Sequence, residues 1–215
     1  MSKMNLPNKL TMLRLFMVPV MVVFLLLPAR LVPHLVACGV GFVLFVLTSL
    51  TDMLDGKIAR ANNLITNFGK FMDPVADKFM VIGTMLALLF RMIYPGLYGF
   101  AYNRVFITVY FISIVLVIFR ELAITSLRLV LVNASGEVVA ANLLGKIKTV
   151  TQIIAIGALF VEPILHTVIT RFAPNVTFFA ACPLSFFFIV LMLFFTVVSG
   201  VNYIAAGWKF ISSDW

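Results

Sequence analysis

A chain of 215 residues that is 63% hydrophobic and only 11% charged, with a mean hydropathy of +1.14, has too few charged side chains for a soluble domain, where about a quarter of residues are charged. It reads as an integral membrane protein of one domain, residues 1–215, with room for six spans of about 20 apolar residues each. The net charge of +8 does not argue for nucleic acid, because lysine and arginine of a membrane chain collect in its cytoplasmic loops.

The N-terminal segment carries Lys3 and Lys9 and runs into an apolar stretch ending near Pro28. A signal peptide needs a small-x-small cleavage site; Pro28-Ala29-Arg30 is a poor one, so the stretch reads as a first span. Pro7 is expected to start a short interfacial helix. On it Asn8, Thr11 and Arg14 recur every three residues, a polar face at the membrane boundary and a set of candidate interfacial substrate contacts. Further spans are expected at about 32–54, 74–92, 104–128, 147–169 and 177–206. The fold class is thus all-α, six transmembrane helices preceded by a short N-terminal interfacial helix. Pro33, Pro95, Pro174, Gly96 and Gly99 mark connections on one side, and the segments 57–70 and 135–145 lie on the other. Twelve of the 16 Lys and Arg residues fall on the side of the N-terminus, and four, Arg30, Arg91, Arg104 and Arg171, on the opposite side. That asymmetry places both termini in the cytoplasm. Cys38 and Cys182 lie in separate apolar segments and read as small buried hydrophobes. His34 and His166 sit singly near span ends and read as packing residues. The phenylalanines dense at 178–195 read as lipid-facing or partner-facing bulk and carry no site.

The chain has eight acidic residues, and four of them, Asp52, Asp55, Asp73 and Asp77, fall within the stretch D-M-L-D-G-K-I-A-R, eight residues, G-K-F-M-D-P-V-A-D. Residues three or four apart share a helix face. Asp52 and Asp55 therefore point one way from one helix, Asp73 and Asp77 one way from the next. Gly56 and Arg60 stand in the row of Asp52, and Gly69 in the row of Asp73 and Asp77. Glycine beside a carboxylate admits close approach to the backbone, and arginine offers a planar fork suited to phosphate. Ionised carboxylates near lipid are costly unless paired, solvated or bound to cations. Four oxygen donors suit hard cations such as Mg²⁺ or Mn²⁺ completed by water and phosphate. Two such ions clamp a displacement at phosphorus, and one aspartate left partly free is a base for an attacking hydroxyl. The plainer reading, ion pairs with Lys57, Arg60, Lys70 and Lys78, gives no reason for glycines one turn from the acids on both helices. Close helix packing is a second role for Gly56, Ala59 and Gly69.

Asp52, Asp55, Gly56, Ala59, Arg60, Gly69, Asp73 and Asp77 together resemble the signature of the CDP-alcohol phosphotransferases, with no position departing from it. The resemblance implies a membrane enzyme, a homodimer in membrane lipid, that displaces CMP from a CDP-linked alcohol with a hydroxyl acceptor and uses two divalent ions, Mg²⁺ or Mn²⁺. It assigns Asp52, Asp55, Asp73 and Asp77 to metal, with Asp77 also the catalytic base, and Gly56, Ala59, Arg60 and Gly69 to the CDP site; Thr66 stands where it would reach the nucleotide. The segment F-R-E-L-A-I-T-S-L-R and the following G-K-I-K-T are similar to the phosphatidylglycerophosphate synthase branch, as is P-N-K-L-T-M-L-R at the start. This makes CDP-diacylglycerol the donor and glycerol 3-phosphate the expected acceptor, whose phosphate Arg120, Arg128, Lys146 and Lys148 would hold. Positive-inside anchoring is the other reading of those four. Arg120 and Arg128 stand about 12 Å apart along a helix, so both reach one phosphate only if their side chains converge. Lys146 and Lys148 diverge by about 200°, so one of them is expected to join. Another acceptor, such as inositol phosphate or phosphatidylglycerol, and a cation transporter are the rival readings; paired repeats and broken helices would mark a transporter, and the sequence has neither.

Overall fold

A computed structural model of the chain describes residues 5–61, 66–98, 100–135, 143–173 and 182–211, except the side chains of Ala59, Arg60, Lys70, Gly207 and residues 129–135 and 209–211. The described residues form helices and no strand. In lipid a backbone has no water to bond, so a long apolar segment must close its hydrogen bonds internally, as a helix does. The helices are α1 (Leu6–Leu26), α2 (His34–Ala61), α3 (Asn67–Ile93), the single turn α4 (Pro95–Tyr98), α5 (Arg104–Ser135), α6 (Leu143–Phe172) and α7 (Pro183–Ile211).

Their ends follow local chemistry. Leu27 precedes Pro28 and turns extended at φ −66°, ψ 135°, because a residue before proline is driven from the helical region. Tyr94, before Pro95, also leaves the helical region, at φ −114°, ψ 62°, and ends α3. Thr66 caps α3, its hydroxyl accepting the Gly69 N–H at 3.0 Å, which meets one of the amides the first turn leaves free. α7 opens on Pro183, where a missing N–H costs nothing. The next two amides, of Leu184 and Ser185, donate to the buried Glu162 carboxylate of α6 at 2.9 and 2.7 Å.

Six long helices close a ring in the order α1, α2, α6, α7, α5, α3 and back to α1, with α3 also touching α6. Phe45, Met80, Met85, Tyr110, Phe160 and Met192 fill its interior. Gly41 lets α2 close on its neighbours: a Cβ there would stand 2.8 Å from both Leu25 and Phe160. α1 and α3 run side by side through the same depth, joined at one end by Thr11 with Asp73 and at the other by Arg91 with the Leu25 carbonyl. That far end is a second polar knot. The buried Arg91 also bonds His34 Nδ1 at 2.9 Å and lies 4.5 Å over the Tyr98 ring, while the Tyr98 hydroxyl donates to the Leu26 carbonyl. His34 stacks on Phe100, and His166 meets the edge of the same ring, so both histidines pack as expected. Cys38 and Cys182 are buried and free.

Two expectations change. The short interfacial helix and the first span form one continuous helix, α1, because its polar residues find partners inside the bundle and the helix has no reason to lie flat at the boundary. Five helices, α1, α2, α5, α6 and α7, are long and apolar enough to cross a membrane; α3 has the length, 27 residues, but carries Asp73, Asp77, Lys78 and Arg91. Pro174, Gly99 and the start of the span expected from 177 lie outside the described residues.

Candidate active site

The candidate site residues whose side chains are described gather at one end of the ring, where α1, α3 and α6 begin and α2, α5 and α7 end. The two carboxylate pairs do not meet directly. α1 stands between α2 and α3, and its row Asn8, Thr11, Arg14 faces both. Arg14, fully buried, gives one guanidinium nitrogen to Asp52 and the other to Asp55. Thr11, also buried, donates to Asp73 Oδ1 at 2.7 Å. Thr66 donates to Asn8 Oδ1 at 2.9 Å while capping α3, so its hydroxyl is held within the protein. The face expected at the membrane boundary points instead into the carboxylates. Gly69 sits below this knot: a Cβ would stand 3.4 Å from Asn8 Oδ1 and Thr66 Oγ1 and 3.6 Å from Asp73 Oδ2. The side chains of Ala59 and Arg60 lie outside those described, and with them half of the expected CDP wall.

Asp52, Asp55, Gly56 and Asp73 line one cavity of about 340 Å³. With Asp52 and Asp55 turned onto Arg14 and Asp73 onto Thr11, no three carboxylate, imidazole or thiol groups among the described residues form a closed metal-ligand set. The donor chemistry nevertheless fits a hard divalent ion. Three carboxylates open on one space, all its acidic donors are oxygen, and Arg14 already occupies the position of a counter-cation between two of them.

A second cavity of about 320 Å³ begins where the first ends, sharing Asp52 and Asp73 and adding Asp77, Lys78, Arg120, Glu121 and Arg128. Lys78 projects from α3 and donates to Thr125 Oγ1 at 2.6 Å; that hydroxyl in turn donates to the Glu121 carbonyl. The third and largest cavity, about 880 Å³, keeps Asp77, Arg120, Glu121 and Arg128 and adds Lys146, Lys148, Ser199, Asn202 and Tyr203. The four expected phosphate residues therefore do line one space, and it opens on Asp77. Arg120 and Arg128 converge in spite of their separation along α5. Arg120 reaches Ser199 Oγ at 3.2 Å, and Arg128 Nε donates to the Tyr203 hydroxyl at 3.4 Å, with its guanidinium 5.9 Å from that ring. Lys148 is buried with its ammonium on Glu121, whereas Lys146 stays exposed at the rim.

Sequence reasoning did not find Lys78, Glu121, Ser199, Asn202 or Tyr203 as parts of the site. The α7 residues carried a signal: Ser199, Asn202 and Tyr203 are spaced as one helix face, polar atoms on an otherwise lipid-like helix, but the apolar bulk around them masked it.

Residues 4–198 match the family model described as CDP-alcohol phosphatidyltransferase. The chain is 38% identical, over 98% of both chains, to the CDP-diacylglycerol–glycerol-3-phosphate 3-phosphatidyltransferase of Bacillus subtilis (strain 168). It is 34% identical to a probable phosphatidylglycerophosphate synthase of Mycobacterium tuberculosis (strain H37Rv), over 94% of this chain and 80% of that one. A Rickettsia felis protein with the same name as the Bacillus one is 36% identical over 72% of this chain and 74% of its own.

Proposed function

The chain belongs to the CDP-alcohol phosphatidyltransferase family, and on that premise we propose that it moves the phosphatidyl group of CDP-diacylglycerol to glycerol 3-phosphate, giving phosphatidylglycerophosphate and CMP. The observation that carries this reading is the continuity of the carboxylate cavity with the cationic cavity through the second cavity, which shares Asp52 and Asp73 with the one and Asp77 with the other. A neutral polyol acceptor would leave Arg120, Arg128, Lys146 and Lys148 in excess over the two carboxylates of that space, Asp77 and Glu121; a phosphate at the far end of a short polyol supplies the further negative charge. The names of the relatives from Bacillus and Rickettsia support the same acceptor.

The family generally uses divalent metal ions. Asp52, Asp55, Asp73 and Asp77 are the residues that would hold Mg²⁺ or Mn²⁺ here, and the charge so supplied offsets the negative charge of the pyrophosphate. Gly56 and Gly69 border the side where the nucleotide would lie, the side to which the family resemblance also assigns Ala59 and Arg60. Asp77, between the two cavities, takes the proton of the attacking hydroxyl. A new bond forms from that oxygen to the phosphorus bearing diacylglycerol, the bridging P–O bond breaks, and CMP leaves with the electron pair. Arg120, Arg128 and Lys148 orient the acceptor by its phosphate so that the distant hydroxyl points at Asp77. The protein works as one domain of six spans, α3 crossing with α1, both termini and the site cytoplasmic, and as a homodimer.

Detergent-purified protein given CDP-diacylglycerol tests this. CMP release should require glycerol 3-phosphate, stop in chelator and return with Mg²⁺ or Mn²⁺. Equal rates with glycerol would reject the acceptor, full turnover in chelator would reject the metal role, and absence of CMP under every condition would favour a cation transporter.

A further inference from the structure

Glu121 is the sole acidic residue of α5, in a protein where an acid at membrane depth needs a reason. Its Oε1 receives the Lys148 ammonium from α6 and the Arg120 Nη1 at 3.3 Å. The three side chains are nearly enclosed, 14%, 7% and 13% exposed in that order. Consecutive helix residues do not face one another, so the contact of Arg120 with Glu121 is imposed by tertiary structure. Ser199 of α7 holds the other guanidinium nitrogen, and Gly200 leaves just enough room for the Arg120 stem. Without an anion between them, Arg120 and Lys148 would be two like charges on one poorly solvated wall and would move apart. Through its backbone carbonyl, Glu121 also anchors the Thr125 hydroxyl that receives Lys78. One residue thus ties cations from α3, α5 and α6 to the wall shared with Asp77.

We propose that Glu121 is the positioning residue of the acceptor pocket, its carboxylate setting the separation of Arg120 and Lys148 at which they grip the acceptor phosphate. The proposal rests on the glycerol 3-phosphate reading above. A site held by its supporting shell loses binding when that shell loosens, before it loses chemistry.

The test is steady-state kinetics of the full chain in detergent. Glu121→Gln keeps the shape and removes the charge. It should raise the KM for glycerol 3-phosphate about tenfold or more, as expected for loss of one charge-assisted contact, with kcat and the KM for CDP-diacylglycerol changed less than about twofold. Lys148→Met alone should have a similar effect. Placed on Glu121→Gln it should add little, because residues of one network are not additive. An unchanged acceptor KM overturns the proposal, and so does a lowered one, which would make Glu121 a competitor of the phosphate. Should Glu121→Gln fail to fold, Glu121→Asp keeps the charge one methylene short; it should raise the acceptor KM alone, and an unchanged value, or both KM values rising with a lower melting temperature, overturns the idea. The unmutated enzyme is the control for the underlying reading: if glycerol serves it as well as glycerol 3-phosphate, the acceptor assignment falls, whatever the variants do.

Discussion

Arg14 shows how one residue connects stability with chemistry. Its side chain is fully enclosed while Asp55 is 4% and Asp52 40% exposed, so the Asp55 pair is buried and the Asp52 pair half solvated. Removing one partner of a buried pair costs about 3–5 kcal/mol, because the other charge is left without compensation. Arg14→Ala should therefore lower the melting temperature in detergent and chelator, and added Mg²⁺ should restore part of it by supplying Asp52 and Asp55 with another cation. A melting temperature equal to that of the unmutated protein, with and without Mg²⁺, would contradict the pairing. The four aspartates were legible from spacing alone, since rare acids at helical intervals in a lipid-soluble chain need a common cause. Arg14 was not. Three polar residues at intervals of three read equally well as a face lying on a membrane or a face turned inward, and only the packing of α1 between α2 and α3 decides between them.

At the scale of helices, α7 illustrates how apolar composition hides function. Its sequence is the most lipid-like of the spans, yet Ser199, Asn202 and Tyr203 form a wall of the largest cavity, and Gly200 lies against Arg120. A Cβ at Gly200 would stand 3.3 Å from Arg120 Cγ, so an alanine there must push the arginine stem by a few tenths of an ångström, and a leucine must displace it. Because small misplacements at a site carry large kinetic costs, Gly200→Ala should raise the acceptor KM by about threefold and Gly200→Leu by more, with the KM for CDP-diacylglycerol held. Kinetics with each substrate varied in turn would show it, and equal acceptor KM values in all three proteins would remove α7 from the acceptor site. The helices themselves were readable because apolar length has few alternatives in lipid. Their neighbours in the ring were not, since which face of α7 meets α5 depends on side chains from both.

For the whole molecule, the question is which end of the ring faces the cytoplasm. Asp52, Asp55, Asp73, Asp77 and the cations of α5 and α6 gather at the end where α1 begins and α7 ends, while Arg30, Arg91, Arg104 and Arg171 belong to the other. Some of the twelve cations at the first end have a place in the site, so they measure topology less purely than loop residues do. Removing Arg14, Arg60, Lys78, Arg120, Arg128, Lys146 and Lys148 from that count still leaves five against four. Arg91 on the opposite side is likewise spent on a structural bond, to the Leu25 carbonyl and His34, so it too is a poor topological marker. The direction of the asymmetry persists, and lysine and arginine stay inside. Both termini and the active site are therefore expected in the cytoplasm, where a water-soluble glycerol 3-phosphate would enter. A cysteine at Ser2, in a chain whose Cys38 and Cys182 are buried, should resist an impermeant thiol reagent added to intact cells and react once the membrane is opened. A cysteine at Arg30, in the connection of α1 and α2, should react from outside. Labelling of the Ser2 position in intact cells with protection at Arg30 would invert the orientation and put the acceptor site on the wrong side for a cytoplasmic substrate, and labelling of both from outside would mean that α1 does not cross.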